Sequence, residues 1–218
     1  TNLFDFHPES WSMPALAGAI FYSRENKRMQ WIACIIWLLA CRDGLSLLVI
    51  GLGIYELIKK NLSWGILAAG FGLGWILLLS EWLYPIMNNE VRGPAALSRF
   101  SHLGNSIPSI ILSVITRPFE SLSIISWGEV PVYLLLLSIP TFLFWRKESF
   151  AVLSIAIPLV LVNILSNDPA QRNLVHHYNL PIAVLTVIAS IESCLDKLGY
   201  SSKPIGTGVA AAAKILNI

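Results

Sequence analysis

The chain reads as an all-α, polytopic transmembrane helical bundle with short or broken helices and amphipathic interfacial helices. Three features of composition point there. Of 218 residues, 55% are hydrophobic and 13% charged, where a soluble domain of this length carries about 25% charged residues. Mean hydropathy is +0.66. Eight Trp and nine Phe are hard to hide in a single water-soluble core. The net charge of +2 is small. With no basic run interleaved with aromatics, it excludes a nucleic-acid partner. Cys34, Cys41 and Cys194 sit in or beside apolar segments without a CxxC pair, so they make neither a disulfide framework nor a zinc site.

The first element follows a polar opening, Asn2-Leu-Phe-Asp-Phe-His-Pro-Glu-Ser10, and runs from Met13 to Tyr22 before the polar Ser23 to Arg28. Pro8 and Pro14 suit a helix start rather than an interior. Next comes an apolar stretch from Trp31 to Ile58, interrupted at Arg42-Asp43-Gly44. Its halves rise only roughly 17 and 21 Å as helices, against a hydrocarbon core of about 30 Å. Two arrangements fit: two short tilted helices joined at a recessed turn, or one helix carrying a buried Arg-Asp pair. Gly44 favours the turn.

Leu62 to Ile86 is the cleanest span, and Gly65, Gly70, Gly72 and Gly74 give it a small-residue face for helix contact. Glu81, Trp82 and Tyr84 mark its exit through an interface. The polar region Asn88 to Pro108 leads into IPSIILSVITRPFESLSIISW, whose mixed pattern predicts one or two helices lying along the membrane surface. Pro131 to Trp145 is read as a short span and Phe150 to Leu165 as its return. The polar loop Asn167 to Pro181 (NDPAQRNLVHHYNLP) follows, and Ile182 to Leu195 is the last span. Residues 1–196 thus form the membrane domain, and 197–218 a tail without assigned function. The chain does not open with Met or with a signal-peptide pattern. It reads as the C-terminal part of a longer polytopic protein, whose upstream part is the first partner to expect.

Charge sorts by side. With the start of the chain outside, the inner loops hold Arg24, Lys27, Arg28, Lys59, Lys60, Arg146, Lys147, Lys197, Lys203 and Lys214. The other basic residues (Arg42, Arg92, Arg99, Arg117 and Arg172) are all Arg. Positive-inside bias acts on Lys and Arg alike, so an Arg-only outer set suggests bidentate recognition of phosphate or carboxylate. The outer face also takes His7, His102, His176 and His177. Membrane lipids surround the whole, and the protein is expected in the plasma (inner) membrane with these loops on the external, periplasmic side.

Asp5, His7 and Glu9 alternate, so in an extended segment they share one face. Such a trio suits proton transfer or a divalent cation held by His7 and Glu9; the plain alternative is that Glu9 or Ser10 caps the next helix. His176, His177 and Tyr178 adjoin a helix start at Pro181, and only one of the two adjacent His can face a common centre. Arg172 and Arg92 are candidate phosphate contacts, Arg99 a solvated loop residue. Arg42 and Asp43 are ionisable at apparent membrane depth, where such groups are functional or paired. The GFGLG run at Gly70 to Gly74 fits helix packing, since no strand precedes it.

FDFHPES with its Pro-containing apolar run, LLACRDGLSLLVIGLGIYELIKK, and NILSNDPAQRNLVHHYNLPIAVL together resemble the bacterial predicted-membrane-protein family called domain of unknown function 2079. The resemblance spans roughly Asn2 to Ser190, with the order and spacing of the three motifs kept. It implies a GT-C-like fold and polyprenyl-phosphate-linked sugars used at the outer membrane face. It further implies supporting catalytic roles for Asp5, His7, Glu9, His176 and His177, phosphate contacts for Arg172, Arg92, Arg42 and Tyr178, and a divalent cation, Mg or Mn. Two departures stand out. Arg42-Asp43-Gly44 replaces the usual Lys-Glu-Asp, and the first external loop, which carries the principal carboxylate in such enzymes, lies before this chain begins. A transporter using the broken Trp31–Ile58 unit and a non-catalytic scaffold are the other classes the sequence allows.

Overall fold

A computed structural model describes residues 7–87 and 95–197, and every described regular element is helical. Helix α1 (Glu9–Arg24) and α2 (Arg28–Cys41) form one antiparallel hairpin, and α3 (Ser46–Ile58) and α4 (Leu62–Leu78) another. Both hairpins turn the same way. Asn26 and Lys60 adopt left-handed backbone (φ 54° and 64°). The following amides reach back five residues, Lys27 N–H to the Tyr22 carbonyl and Asn61 N–H to that of Glu56. This is the Schellman closure, which satisfies carbonyls the helix end leaves over.

Glycines set the spacing of the second hairpin. A Cβ at Gly72 would lie 2.7 Å from the Ser46 carbonyl oxygen, and one at Gly53 2.9 Å from the Gly65 carbonyl oxygen. Gly70 and Gly74 face open space. The expected four-glycine face is therefore a two-glycine face, because Gly65 and Gly72 are seven residues apart and recur on one side of the helix while Gly70 and Gly74 turn away.

After α4 a π-helical turn (Leu79–Leu83) and α5 (Tyr84–Met87) complete a continuous helical run, Leu62–Met87. A 3-10 turn (Ala95–Phe100), α6 (Ile107–Thr116) and α7 (Pro118–Ser123) follow. Then come α8 (Val130–Ser138), α9 (Ser149–Leu153), α10 (Ile157–Leu165) and α11 (Leu180–Lys197). The Pro131–Trp145 span is not formed. α8 has nine residues, a rise of roughly 14 Å. Its continuation is stopped by Pro140, which offers no amide hydrogen and disfavours helix at the residue before it.

The core is apolar, built from Leu16, Trp31, Ile35, Leu48, Leu52, Ile155 and Leu185, all fully buried. Leu62–Met87 and His177–Lys197 are long and apolar enough to cross a membrane; Arg28–Cys41, Ile107–Thr116 and Ser149–Leu165 are shorter apolar helices. A helix apolar all round must be covered by protein or by lipid. Only 22% of the most apolar window of Leu62–Met87 is buried within the protein, so lipid is its natural cover.

Side-chain contacts give the bundle two ends. At one, Arg24 pairs with Glu192, Lys59 donates to Ser23 Oγ (3.3 Å), and Ser149 Oγ meets Ser193 Oγ (2.9 Å). At the other, Glu9, Arg42, Asp43, Tyr84, Arg99 and His177 collect. That second end holds the site.

Candidate functional site

The site is assembled from four places in the chain. Glu9 opens α1 behind Pro8, whose conformation starts the helix without a side-chain cap; Glu9 therefore does not serve as the cap. It is 4% exposed and points inward, where the helix N-terminus favours its negative charge. Arg42 follows α2 in fully extended backbone (φ −163°, ψ 147°), and Asp43–Leu45 forms a 3-10 turn before α3. The break expected in Trp31–Ile58 is thus a turn. Gly44 N–H and Ser46 Oγ both bond Asp43, at 2.7 Å to Oδ1 and 2.6 Å to the carbonyl. Asp43 Oδ2 accepts from Tyr84 Oη (2.9 Å), which ties the turn to the end of the long helix.

The third place is the loop between α10 and α11. Ser166 Oγ accepts from Asp168 N–H (3.0 Å), and Asp168 Oδ1 accepts from Ala170 N–H (2.9 Å), starting a 3-10 turn at Pro169. Asn179 Oδ1 takes hydrogen bonds from Tyr133 Oη (2.8 Å) and Asn163 Nδ2 (3.2 Å), and its amide donates to the carbonyls of Gln171 and Asn173. This buried network pins the 3-10 turn His177–Asn179 and so aims His177 and Tyr178. The fourth place is the Ala95–Phe100 turn. Arg99 there pairs with Asp168 (3.1 Å) and donates to Tyr178 Oη (3.0 Å), and its carbonyl accepts from Asn167 N–H.

At the centre Arg42 Nη1 binds Glu9 Oε1 and lies 3.0 Å from His177 Nε2, itself 3.4 Å from the same Glu9 oxygen. Asp43 is a distant second partner for Arg42, at 3.9 Å. His177 Nε2 thus faces a donor, Arg42 Nη1, and an acceptor, Glu9 Oε1, at once. His7 stacks on His177 with ring centroids 3.8 Å apart. Tyr178 lies against His177 (4.3 Å), with the guanidinium carbons of Arg99 and Arg42 at 5.1 and 6.0 Å from its ring centre. Glu9 Oε2 is buried and has no hydrogen-bond partner among the described residues.

Two cavities flank this cluster. One, of about 260 Å³, is lined by Glu9, Arg42, Asp43, Arg99 and Tyr178 and by the apolar Leu47, Ile50, Leu73, Ile76, Ile110 and Leu159. The other, of about 670 Å³, begins at His7, His176 and His177 and extends along Leu136, Thr141, Ala183 and Val187. An apolar slot lined by two arginines beside the carboxylates of Glu9 and Asp43 suits an amphiphile with a polar, anionic head, and the cluster between the cavities suits proton transfer or cation binding.

The expected residues divide. His7, Glu9, Arg42, His177 and Tyr178 meet, with Asp43 alongside. His176 is exposed and lines the larger cavity only; adjacent residues point apart, and His177 is the inward one. Arg172, expected at a phosphate, is 7% exposed and committed internally. It binds Glu129 at 2.8 and 2.9 Å and the carbonyls of Asn163 and Ser166 at 3.1 and 2.6 Å, which makes it a clamp on the loop. Asp5 and Arg92 lie outside the described residues. Arg99 and Tyr84 are site residues that sequence reasoning assigned to a solvated loop and an interface belt. The one signal for Arg99 was its place in the Arg-only outer set. His102 sits half-buried near Leu165, and burial lowers its imidazole pKa against an opposing backbone interaction there.

A helical chain with one helix mostly bare of protein, and ionisable groups gathered at one end of the bundle, has the make-up of an integral membrane protein. The chain belongs to the family described as "Predicted membrane protein (DUF2079)", which matches residues 1–205. Comparison with curated proteins and with solved structures gives no match.

Proposed function

We propose that the chain is a multi-pass GT-C-like glycosyltransferase, or the C-terminal part of one, acting on a polyprenyl-phosphate-linked sugar at the external face of the plasma membrane. The observation that carries this reading is the apolar slot lined by both Arg42 and Arg99. A prenyl chain packs against Leu47, Ile50, Leu73 and Ile110, and the phosphate meets two guanidinium groups, the side chain best matched to phosphate oxygens. The larger cavity, across His177, takes the acceptor. An acceptor hydroxyl then attacks the anomeric carbon, the bond from that carbon to the phosphate oxygen breaks, and polyprenyl phosphate leaves. The hydroxyl proton passes to a carboxylate of the full-length protein, the part that the resemblance gives to the first external loop of such enzymes. Glu9 and His177 position the phosphate-binding Arg42. Arg172 keeps a supporting part, holding the loop that presents His177.

Charge supports the orientation: Arg24 and Lys59 lie at the end away from the site, as the positive-inside rule wants of a cytoplasmic end. The break at Arg42 belongs to the site end, beside His177, which favours this reading over transport through a midplane site.

The test is transfer of labelled sugar from a polyprenyl-phosphate donor by membranes containing the full-length protein. Arg42→Gln with Arg99→Gln is expected to cost at least about 100-fold in kcat/KM, and His7→Ala with His177→Ala a comparable loss. Wild-type transfer in either double variant contradicts the assignment. No transfer from any such donor leaves the scaffold class in its place.

A further inference from the structure

We infer that His7, Glu9 and His177 form a site for a divalent transition-metal ion, and that Arg42 is the internal cation that holds this site when no metal does. The inference stands apart from the transferase reading, because it rests on donor chemistry and geometry alone.

One ligand atom from each of the three residues lies within 4.8 Å of the others. Metal–nitrogen and metal–oxygen bonds of about 2.0–2.2 Å put neighbouring ligands of a tetrahedral ion roughly 3.4 Å apart. Glu9 Oε1 and His177 Nε2 are already 3.4 Å apart. That edge of the coordination shell exists in the folded chain, and a ring nitrogen of His7 lies within 4.8 Å of both its corners. His177 Nε2 is turned toward the Glu9 oxygen and the Arg42 nitrogen, and an imidazole nitrogen so placed gives a metal its lone pair once unprotonated. Glu9 is 4% exposed and its Oε2 is buried without a hydrogen-bond partner among the described residues, an arrangement that costs free energy unless something positive or hydrogen-bonding completes it. Arg42 satisfies only Oε1.

The donor set also decides between ions. Two imidazoles and one carboxylate suit zinc, cobalt, manganese or iron, whereas magnesium prefers oxygen ligands and keeps its waters. The Mg alternative raised by the sequence is therefore the poorer fit.

Arg42 and the ion compete. Both need Glu9 Oε1 and His177 Nε2, and two cations do not share one buried carboxylate oxygen without strong repulsion. Metal binding therefore frees the Arg42 guanidinium. Its side chain already borders the apolar slot and stands 6.0 Å from the Tyr178 ring, so the released group turns toward the slot beside Arg99. The site is an exchange: metal in, arginine out toward an anion.

Titrating the chelator-treated full-length protein in detergent with Zn²⁺, and separately with Co²⁺ followed by its visible absorption, tests this. Wild type is expected to bind one ion per chain with a Co²⁺ spectrum of low coordination number. Glu9→Gln and His177→Ala should each weaken binding at least about tenfold, and Arg42→Gln should tighten it by at least about tenfold, each factor of ten being about 1.4 kcal/mol. If a loss-of-ligand variant fails to fold by circular dichroism, His7→Ala, at a half-buried position of the cluster, serves in its place. Absence of Zn²⁺ and Co²⁺ binding, or binding indifferent to these ligand changes, overturns the site. Arg42→Gln binding no tighter than wild type overturns the exchange.

Discussion

The two ends of the bundle handle charge differently. At the Lys-bearing end Arg24 pairs with Glu192, Lys59 reaches Ser23 and the Tyr55 ring, and Ser149 Oγ bonds Ser193 and the Ala189 carbonyl. At the site end acceptors are shared. Arg42 and His177 converge on one oxygen of Glu9 while the other oxygen goes without, and two arginines approach one tyrosine ring. Glu25 Oε1 and Glu56 Oε1, at the Lys-bearing end, are buried without a hydrogen-bond partner among the described residues too; what sets the site end apart is a guanidinium and an imidazole converging on one buried carboxylate beside two cavities. The same contrast separates Arg172 from Arg42. Arg172 is surrounded by its partners, whereas the Arg42 side chain is 35% exposed and borders a cavity.

The largest expected effect divides those two arginines. Arg172→Gln removes the loop clamp and should lower stability by about 2–3 kcal/mol. That is less than for a fully buried pair, because Glu129 stays half in solvent. Thermal unfolding in detergent checks it. Arg42→Gln also costs stability, because the buried Glu9 carboxylate loses its cation, but in addition it should abolish sugar transfer by the protein that remains folded, whereas folded Arg172→Gln keeps measurable transfer. Equal loss of transfer per folded molecule in the two variants would erase the distinction.

Next in size come the helix contacts. Gly72→Ala and Gly51→Ala press a methyl onto the backbone at Ser46 and Ile155 and should each cost about 1–3 kcal/mol. Gly70→Ala and Gly74→Ala meet open space and should be neutral or stabilise by up to about 1 kcal/mol, through helix propensity. Arg24→Gln, at the Lys-bearing end, should lower the unfolding midpoint without changing the KM for a polyprenyl-phosphate donor.

The smallest effect is pH-dependent. Burial lowers the His102 pKa in the folded chain below its ordinary 6.5, so the unfolded state binds the proton more readily. Stability from this group is full above pH 6.5 and declines as pH falls below it. His102→Asn should flatten that decline in a series of unfolding midpoints, and an unchanged slope would remove His102 from the account.

The sequence carried the helical class, the break at Arg42 and the meeting of the opening segment with the His-His-Tyr loop. These are written in hydropathy and in local signals such as Gly44 and Pro181. Other features were not legible, because they depend on which loop lands beside which. Arg99 reads as a solvated residue until the Asp168 loop is seen to receive it. Arg172 reads as a ligand contact until Glu129, 43 residues away, is found against it. The glycines of α4 looked like one face because their number was visible and their angular positions against α3 were not. The Pro131–Trp145 segment had the hydropathy of a span, and one imino acid at Pro140 cut it short.

The central claim is that the start of α1 and the loop before α11 build one pocket. Pairing His7→Cys with His177→Cys, in a chain whose Cys34, Cys41 and Cys194 are replaced by Ala, tests it most directly. The stacked rings place these positions side by side. Mild oxidation of membranes should close a disulfide between them in most molecules, read as a mobility shift that a reductant reverses. A folded double variant whose two thiols stay open and separately alkylated under the same oxidation contradicts the claim.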